Sequence, residues 1–185
     1  MEDSVLVNGR KYTILKLLGK GKGGYSYLAQ AEPGQSEQEY VVVKQIHHEP
    51  CSYYQFGNKM AAEINDYKRL QSIGISMPRM LDTDMEKERI VKEYIEGDTV
   101  YQLVLKDNLP QTCLDQVREM CRLLYEAKTN IDYFPTNFIL QNGILYYVDY
   151  ECNDYMEEML YLIHISEPTT PISIGFCVFC LKKKR

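Results

Sequence analysis

The sequence predicts an α+β fold in which an antiparallel β-sheet comes first in the chain and helices follow it. Three short stretches rich in β-branched and aromatic residues lie within the first 46 residues, and turn-forming residues separate them. Two later stretches carry apolar residues at the spacing of an amphipathic helix. Apolar residues make up 45% and charged residues 25% of the 185-residue chain, which is typical of a globular protein.

Glycines connect the first two predicted strands, and a polar stretch with Pro33-Gly34 leads into the third. These short connections favour antiparallel pairing. Asn142-Gly143 predicts a tight hairpin turn near the end of the chain. The early strands are predicted at residues 11–18, 25–29 and 40–46. The later ones are predicted at residues 77–82 (a strand or a link), 89–95, 138–140 and 144–148.

Two helices are predicted. The first covers residues 58–73, and Gly74 follows it as a typical helix-ending residue. The second covers residues 111–128. Its apolar face is predicted to consist of Leu114, Val117, Cys121, Leu124 and Ala127.

The composition also excludes several classes of protein. The net charge of −5 argues against nonspecific nucleic-acid binding. No run of 18 apolar residues exists, so no membrane span is expected, and the acidic N-terminus does not read as a signal peptide. The six cysteines are scattered, as in proteins with reduced thiols. Together these features predict a cytoplasmic protein.

The last 26 residues, 160–185, differ from the rest because they combine an apolar run with a net charge of +3. The strings LIHISEPT and FCLKKK in this segment resemble an in-frame translation of a transposon-type sequencing adapter. The pair Cys177-x-x-Cys180 has no second pair that would complete a metal site. We therefore expect this tail to be non-native and the native sequence to diverge after about Met159.

A glycine-rich segment follows the first predicted strand and fits the spacing G-x-G-x-x-G. Glycine lets backbone N–H groups approach a phosphate closely, although a plain glycine-rich hairpin has the same pattern. A dinucleotide-binding fold needs a helix after the glycines, and here a strand follows. The pattern therefore predicts a hairpin flap over a nucleotide. Its residues are Gly19, Lys20, Gly21, Lys22, Gly23 and Gly24.

Two charged residues lie where they would face each other. Lys44 is inside the third predicted strand, and Glu63 follows 19 residues later on the next helix. An ion pair between them would hold the ammonium group toward phosphate oxygens. The alternative for each is an ordinary solvent-exposed charge.

Three polar residues occupy loops in the second half of the chain. Asp132 and Asn137 lie five residues apart after the long helix, and Asp149 ends the hairpin. Such residues often only form turns. They also suit phosphoryl transfer: Asp132 would accept a hydroxyl proton, and Asn137 and Asp149 offer the hard oxygen ligands that Mg²⁺ prefers.

In combination, these motifs resemble the protein-kinase-like superfamily, and they occur in its order. The matching strings are LLGKGKGGYSYLA, VVVK, the helix at Glu63, VKEYIEG, IDYFPTNFIL and VDYE. The resemblance implies a kinase-like fold with an antiparallel β-sheet N-lobe and helix C at residues 1–95, and a partial helical C-lobe at residues 96–159. Because kinases bury the catalytic loop against later helices, this chain by itself is expected to be poorly stable or inactive.

The resemblance implies an ATP-dependent phosphotransferase that uses magnesium and is most similar to serine/threonine protein kinases. The glycine-rich segment would cover the phosphates, and the acceptor would be a hydroxyl of a protein or a small molecule. The implied roles are phosphate contact for Lys44, orientation of this lysine for Glu63, backbone bonds to adenine for Glu93 and Ile95, proton acceptance for Asp132, and metal binding for Asn137 and Asp149.

Several positions depart from the protein-kinase pattern and keep other functions open. The altered triplet DYE within VDYE and the P-x-N loop are typical of atypical and small-molecule kinases, such as aminoglycoside and choline kinases. The compact N-lobe is also similar to RIO-type kinases and to the kinase associated with tRNA threonylcarbamoylation. A nucleotide-binding pseudokinase is the third alternative. The departing residues are Gly23, Ser26, Lys92, Asn130 and Glu151.

Overall fold

The structure is a computed structural model that describes residues 4–155, except residues 22, 35, 37 and 50–56. It is an α+β structure with a large antiparallel sheet and few helices. Its residues form two compact units: the first runs to Asn65 and includes Pro78–Tyr94, and the second contains Asp66–Met77 and continues from Ile95. The predicted division at residues 95 and 159 stays a prediction, and the tail at residues 160–185 lies outside the described residues.

The first unit is built on a six-stranded sheet with the order β1-β2-β3-β4-β6-β5. All neighbouring strands pair antiparallel, as predicted. The predicted strands at residues 77–82 and 89–95 are both present with shifted ends. The strands are β1 (Ser4–Val7), β2 (Arg10–Lys20), β3 (Gly24–Ala31), β4 (Tyr40–Ile46), β5 (Met80–Asp84) and β6 (Arg89–Glu93).

Strand β1 is absent from the sequence prediction, which began the sheet at residue 11. The turn that joins β1 to β2 consists of Asn8 and Gly9, with φ angles of 48° and 80°. Two successive positive φ values define the tight hairpin turn that Asn-Gly favours. The Asn8-Gly9 dipeptide is therefore the local sequence signal that marks this hairpin.

Side chains of β4 alternate between two apolar clusters of the first unit. Val41 and Val43 belong to the cluster on one face, together with Val91 of β6. Ile46 belongs to the cluster on the other face, with Ile90 of β6 and Met60. Because side chains alternate along a strand, Lys44 lies on the same face as Ile46.

Helix α1 (Lys59–Ile73) confirms the first predicted helix to within one residue. Asn58 precedes it, and the Asn58 side-chain oxygen accepts a hydrogen bond of 2.9 Å from the backbone N–H of Ala61, which is a typical N-cap. The helix ends at Gly74, as predicted, with φ at 90°. The backbone N–H groups of Gly74 and Ile75 donate to the carbonyls of Gln71 and Leu70, the double bond of a Schellman motif.

The second unit contains two further helices and short strands. Strands β10, β9 and β7 form one sheet, and β11 pairs with β8. The predicted hairpin is confirmed, with Asn142 and Gly143 at φ angles of 51° and 80°. The elements are β7 (Asp98–Thr99), α2 (Val100–Leu105), α3 (Gln111–Glu126), β8 (Thr129–Ile131), β9 (Phe138–Gln141), β10 (Ile144–Tyr147) and β11 (Cys152–Asp154).

The buried face of α3 shares Val117 and Leu124 with the predicted face but is rotated toward Cys113 and Met120. Leu114 and Cys121 are only half-buried, and Ala127 is exposed beyond the end of the helix. Although Leu114 is the more apolar of the two neighbours, Cys113 is the residue that faces the core. The buried residues of α3 are Cys113, Val117, Met120 and Leu124.

Helix α2 and strands β7, β8 and β11 were not predicted from the sequence. They are too short for a periodic pattern to develop. A local signal did precede α2: Thr99 and Gln102 form a capping box, in which each side chain bonds the backbone of the other. None of the helices in the described part of the chain is long and apolar enough to cross a lipid bilayer.

Gly97 leads into β7 and approaches the neighbouring backbone closely. A Cβ atom at this position would lie 2.3 Å from the carbonyl oxygen of Leu140 in β9. We predict that Gly97→Ala lowers the free energy of unfolding by about 1–3 kcal/mol, because the β7–β9 pairing must shift to relieve the overlap. Urea unfolding measures this change. Gly57→Ala is the control, since a Cβ atom there meets no atom of the described residues within 4 Å; equal stability of the two variants would contradict the prediction.

Candidate functional site

The glycine-rich segment connects β2 to β3 as a hairpin turn, as the sequence predicts. Gly19 and Lys20 are the last residues of β2 and pair with Ser26 and Tyr25 of β3. The backbone N–H of Gly21 donates to the carbonyl of Gly24 at 2.9 Å, which closes the turn. Lys22 lies outside the described residues.

The structure separates the glycines of this turn by their surroundings. A Cβ atom on Gly24 would lie 2.6 Å from the backbone oxygen of Gln45 in β4, so β3 and β4 approach this closely only with glycine. A Cβ atom on Gly19 or Gly23 would meet no atom within 4 Å. Close packing therefore explains why residue 24 is a glycine. At Gly19 and Gly23, no steric contact among the described residues requires a glycine.

Lys44 and Glu63 form the ion pair that the sequence predicts. Lys44 Nζ lies 2.6 Å from Glu63 Oε1, and the two side chains are only 14% and 10% exposed. Both residues belong to the first unit. The pair forms because α1 covers the face of the sheet that carries Lys44: Met60 and Ile64, on either side of Glu63 in the chain, pack with Ile46 and Ile90.

Because the pair is largely buried, each of its two charges depends on the other for compensation. Removing one partner of a buried ion pair leaves a charge without compensation and costs about 3–5 kcal/mol, although the intact pair adds little net stability. An ammonium group held this way is fixed in position. The pair thus orients a cation more than it stabilises the fold.

Asp132 and Asn137 lie in one tightly hydrogen-bonded loop of the second unit. Asp132 follows β8, and a short 3-10 helix, Pro135–Asn137, leads from the loop into β9. The Asp132 carboxylate accepts the backbone N–H of Phe134 at 3.3 Å, and the Asn137 side-chain amide donates to the Asp132 carbonyl at 3.3 Å. The loop is therefore shaped by its own predicted site residues.

Asp149 is tied to this loop through its neighbour in the chain. The backbone N–H of Val148 donates to the carbonyl of Asn137 at 2.9 Å. Because the Asn137 amide nitrogen bonds Asp132, its amide oxygen is the atom that is left to face a cation. Asp149 follows Val148 directly in the chain and adds a half-buried carboxylate. These hard oxygen donors fit the ligand preference of Mg²⁺.

Tyr147 lies near the acidic residues of the second unit, and the sequence does not predict it as part of the site. Its side chain is fully buried, and its hydroxyl donates to the carbonyl of Glu151 at 2.9 Å. Burial raises the pKa of this hydroxyl, and the negative charges of Asp149, Asp132 and Glu151 raise it further. The predicted base and the predicted metal ligand thus both lie near the same phenol.

The residues predicted to bond adenine lie at the end of β6 and beyond it. Glu93 is the last residue of β6, and its backbone N–H already donates to the carbonyl of Arg79 at 2.9 Å. The Glu93 carboxylate accepts hydrogen bonds from the Gln38 side chain at 2.7 Å and the Arg79 backbone at 3.1 Å. Ile95 is buried in the second unit. The adenine contacts of both residues stay predictions.

One more residue contacts the glycine-rich turn and carried no signal in the sequence. Glu49 accepts hydrogen bonds from Lys20 and Tyr25, which lie on either side of the turn. No motif marks this glutamate, because only the return of β4 toward the turn brings it close.

Comparison with known proteins gives one informative relative. No family model matches the chain. The chain is 26% identical over 104 residues to the KEOPS complex subunit Bud32 of Pyrococcus abyssi, a match that covers 53% of the chain and 47% of the relative. The chain therefore spans about half the length of the curated relative it matches. The similarity supports a kinase-like superfamily, in agreement with the order of the motifs.

The two kinds of glycine in the turn lead to a testable difference. We predict that Gly24→Ala lowers the free energy of unfolding by about 1–3 kcal/mol, because the added methyl overlaps the β4 backbone. Gly23→Ala is the control and is expected to leave stability within about 0.5 kcal/mol. Denaturant unfolding of both variants measures the difference. Equal destabilisation by both would show that steric contact does not distinguish these glycines.

Proposed function

We propose that this protein is an ATP-dependent kinase that transfers the γ-phosphate of ATP to a hydroxyl group. The buried ion pair between Lys44 and Glu63 is the observation that carries the proposal. A lysine fixed by a glutamate from the following helix is the device with which kinase-like proteins hold the α- and β-phosphates. The similarity to Bud32 supports the same superfamily.

The first unit would supply nucleotide binding. Lys44 would contact the phosphates, and Glu63 would hold the lysine in place. Backbone N–H groups of the turn at Gly19–Gly24 would cover the phosphates, since a chain of small residues lets the backbone approach closely. The carbonyl of Glu93 would bond the adenine edge, and so would the backbone of Ile95, which lies just beyond this unit in the chain.

The second unit would supply the transfer chemistry. Asn137 and Asp149 would hold Mg²⁺, which neutralises charge on the phosphates when bound. Asp132 would accept the proton of the attacking hydroxyl as the new P–O bond forms and the bond to ADP breaks. Asp132 is exposed on its loop, which suits a base that must meet a substrate.

A protein serine or threonine is the proposed acceptor. Phe134, two residues after Asp132, leaves half of its surface exposed. Exposed aromatic side chains beside a reactive group favour contact with another protein over enclosure of a small molecule. The relative's place in a multi-subunit complex agrees with a protein partner. An aminoglycoside- or choline-type small-molecule acceptor is the alternative.

A nucleotide-binding pseudokinase is the second candidate function. Asn130 supports it, because this residue stands at the position of the catalytic-loop histidine in the protein-kinase pattern. In the structure Asn130 is a half-buried residue of β8 that pairs with Asn153 of β11. The two candidates differ in one outcome: a kinase turns ATP over, and a pseudokinase only binds it.

The role of Lys44 is testable by nucleotide binding. We predict that Lys44→Ala weakens MgATP binding at least about tenfold, because charge-assisted bonds to phosphate are lost. Isothermal titration calorimetry measures the dissociation constant. Lys16→Ala removes an exposed lysine of β2 and is the control. Equal binding by wild type and Lys44→Ala would contradict the assignment of this lysine.

The role of Asp132 is testable by turnover. We predict that Asp132→Asn lowers ATP turnover by about a hundredfold to ten-thousandfold, because the proton acceptor is lost, while MgATP binding is retained. Release of labelled phosphate or autophosphorylation measures the rate. Asp115→Asn, which removes an exposed carboxylate of α3 paired with Arg118, is the control. In the full-length protein, MgATP binding by wild type without turnover would instead identify the pseudokinase.

A further inference from the structure

The carboxylate of Glu49 joins both sides of the glycine-rich turn. Its Oε2 atom lies 2.7 Å from the ammonium group of Lys20, the last residue of β2. Its other oxygen accepts a hydrogen bond from the hydroxyl of Tyr25 in β3. Lys20 and Tyr25 are cross-strand partners, so one carboxylate bridges the two strands directly at the turn.

His47 adds contacts to the turn itself. Its backbone N–H donates to the carbonyl of Gly23 at 3.3 Å. Its ring atom Nδ1 accepts the backbone N–H of Glu49 at 3.3 Å, so Nε2 carries the proton and donates to the carbonyl of Gly21 at 3.1 Å. The His47 ring also contacts the ring of Tyr25, with the ring centres 5.1 Å apart.

The segment 47–49 is itself anchored at its base. The backbone N–H of Ile46 donates to the carbonyl of Glu88 at 3.0 Å and extends the pairing of β4 with β6. The ammonium group of Lys59, the first residue of α1, donates to the carbonyl of His47. The turn is therefore fastened to a segment that is held by both the sheet and the helix that carries Glu63.

A glycine-rich turn needs such an attachment for physical reasons. Glycine has more backbone freedom than any other residue, so an ordered glycine turn pays the largest conformational entropy. The ion pair raises the pKa of Lys20 and lowers that of Glu49, so both stay charged near neutral pH. Both side chains are 49% exposed, and an exposed pair of this kind has a modest effect.

We propose that Glu49 is a positioning residue that fixes the glycine-rich turn for nucleotide binding. It acts through Lys20 and Tyr25 and does not touch the nucleotide. The inference rests on the proposed function, since it assumes that phosphates bind beneath the turn. Glu49 therefore governs the affinity for MgATP and leaves the transfer step unchanged.

The variant Glu49→Gln tests this role, because it keeps the shape of the side chain and removes its charge. We expect MgATP affinity to fall about two- to fivefold, as for the loss of an exposed ion pair, with kcat within about twofold of wild type. In the protein without nucleotide, amide hydrogen exchange of Gly21 and His47 is expected to become faster. Calorimetry, turnover kinetics and exchange measure the three effects.

Glu32→Gln is the matched control. Glu32 also forms an exposed pair with a lysine of β2, Lys11, at 3.5 Å, and this pair lies at the opposite end of β2 from the glycine-rich turn. We expect its nucleotide affinity and its amide exchange at Gly21 to equal those of wild type. If both nucleotide affinity and amide exchange at Gly21 change in Glu49→Gln and neither changes in the control, the effect belongs to the turn and not to a general loss of surface charge.

Two results would overturn the inference while the proposed function stands. If wild type binds MgATP and Glu49→Gln binds it equally well, the contact of Glu49 with the turn has no part in binding. If Glu49→Gln binds more tightly, Glu49 competes with phosphate for Lys20 and does not position the turn. If wild type binds no MgATP, the proposed function fails. If amide exchange at Gly21 is then the same in Glu49→Gln as in wild type, Glu49 does not order the turn either.

Discussion

The contact between α1 and the sheet of the first unit sets the geometry on which the rest depends. Met60 and Ile64 pack with Ile46 and Ile90 for the ordinary reason that apolar surface leaves water. That packing places the intervening Glu63 against Lys44 with both side chains largely buried. Once buried, the two charges require each other, because separating them leaves one uncompensated. A hydrophobic contact thus fixes the position of a cation, and the cation gives the sheet its proposed chemistry.

Backbone freedom is the constraint on the glycine-rich turn, and the structure meets it with contacts from outside the turn. Gly24 is required by the close approach of β4, and Gly23 is not required by any steric contact among the described residues. The freedom of the remaining glycines is limited by His47 and Glu49, which approach from the end of β4. The segment that limits the turn also contacts the first residue of α1. Turn, strand and helix therefore form one connected set of interactions within the first unit.

The second unit positions its acidic residues by a different principle, around a buried phenol. The Tyr147 hydroxyl lies near three carboxylates, and burial together with these charges keeps it protonated. The loop from Asp132 to Asn137 is closed by bonds between its own residues, and Val148 bonds back to it. The hydroxyl donates to the backbone carbonyl of Glu151, so it bonds the chain beside these carboxylates. The same arrangement leaves the Asn137 amide oxygen and the Asp149 carboxylate as hard donors.

The sequence predicts the pairing of Lys44 with Glu63, and the packing of α1 on the sheet brings it about. The sequence by itself determined the early antiparallel strands from β2 to β4, α1 and its end at Gly74, and the hairpin at Asn142-Gly143. These features depend on local periodicity, on turn residues and on the alternation of side chains along a strand. Residues that are close together in the sequence determine all three. Only the tertiary structure decided which face of α3 is buried, that α2, β7, β8 and β11 exist, and that Tyr147 and Glu49 belong to the candidate sites. Elements of two to six residues have too few positions to show a period. The contact of Glu49 with Lys20 spans 29 residues, so it exists only after β4 has returned along the sheet.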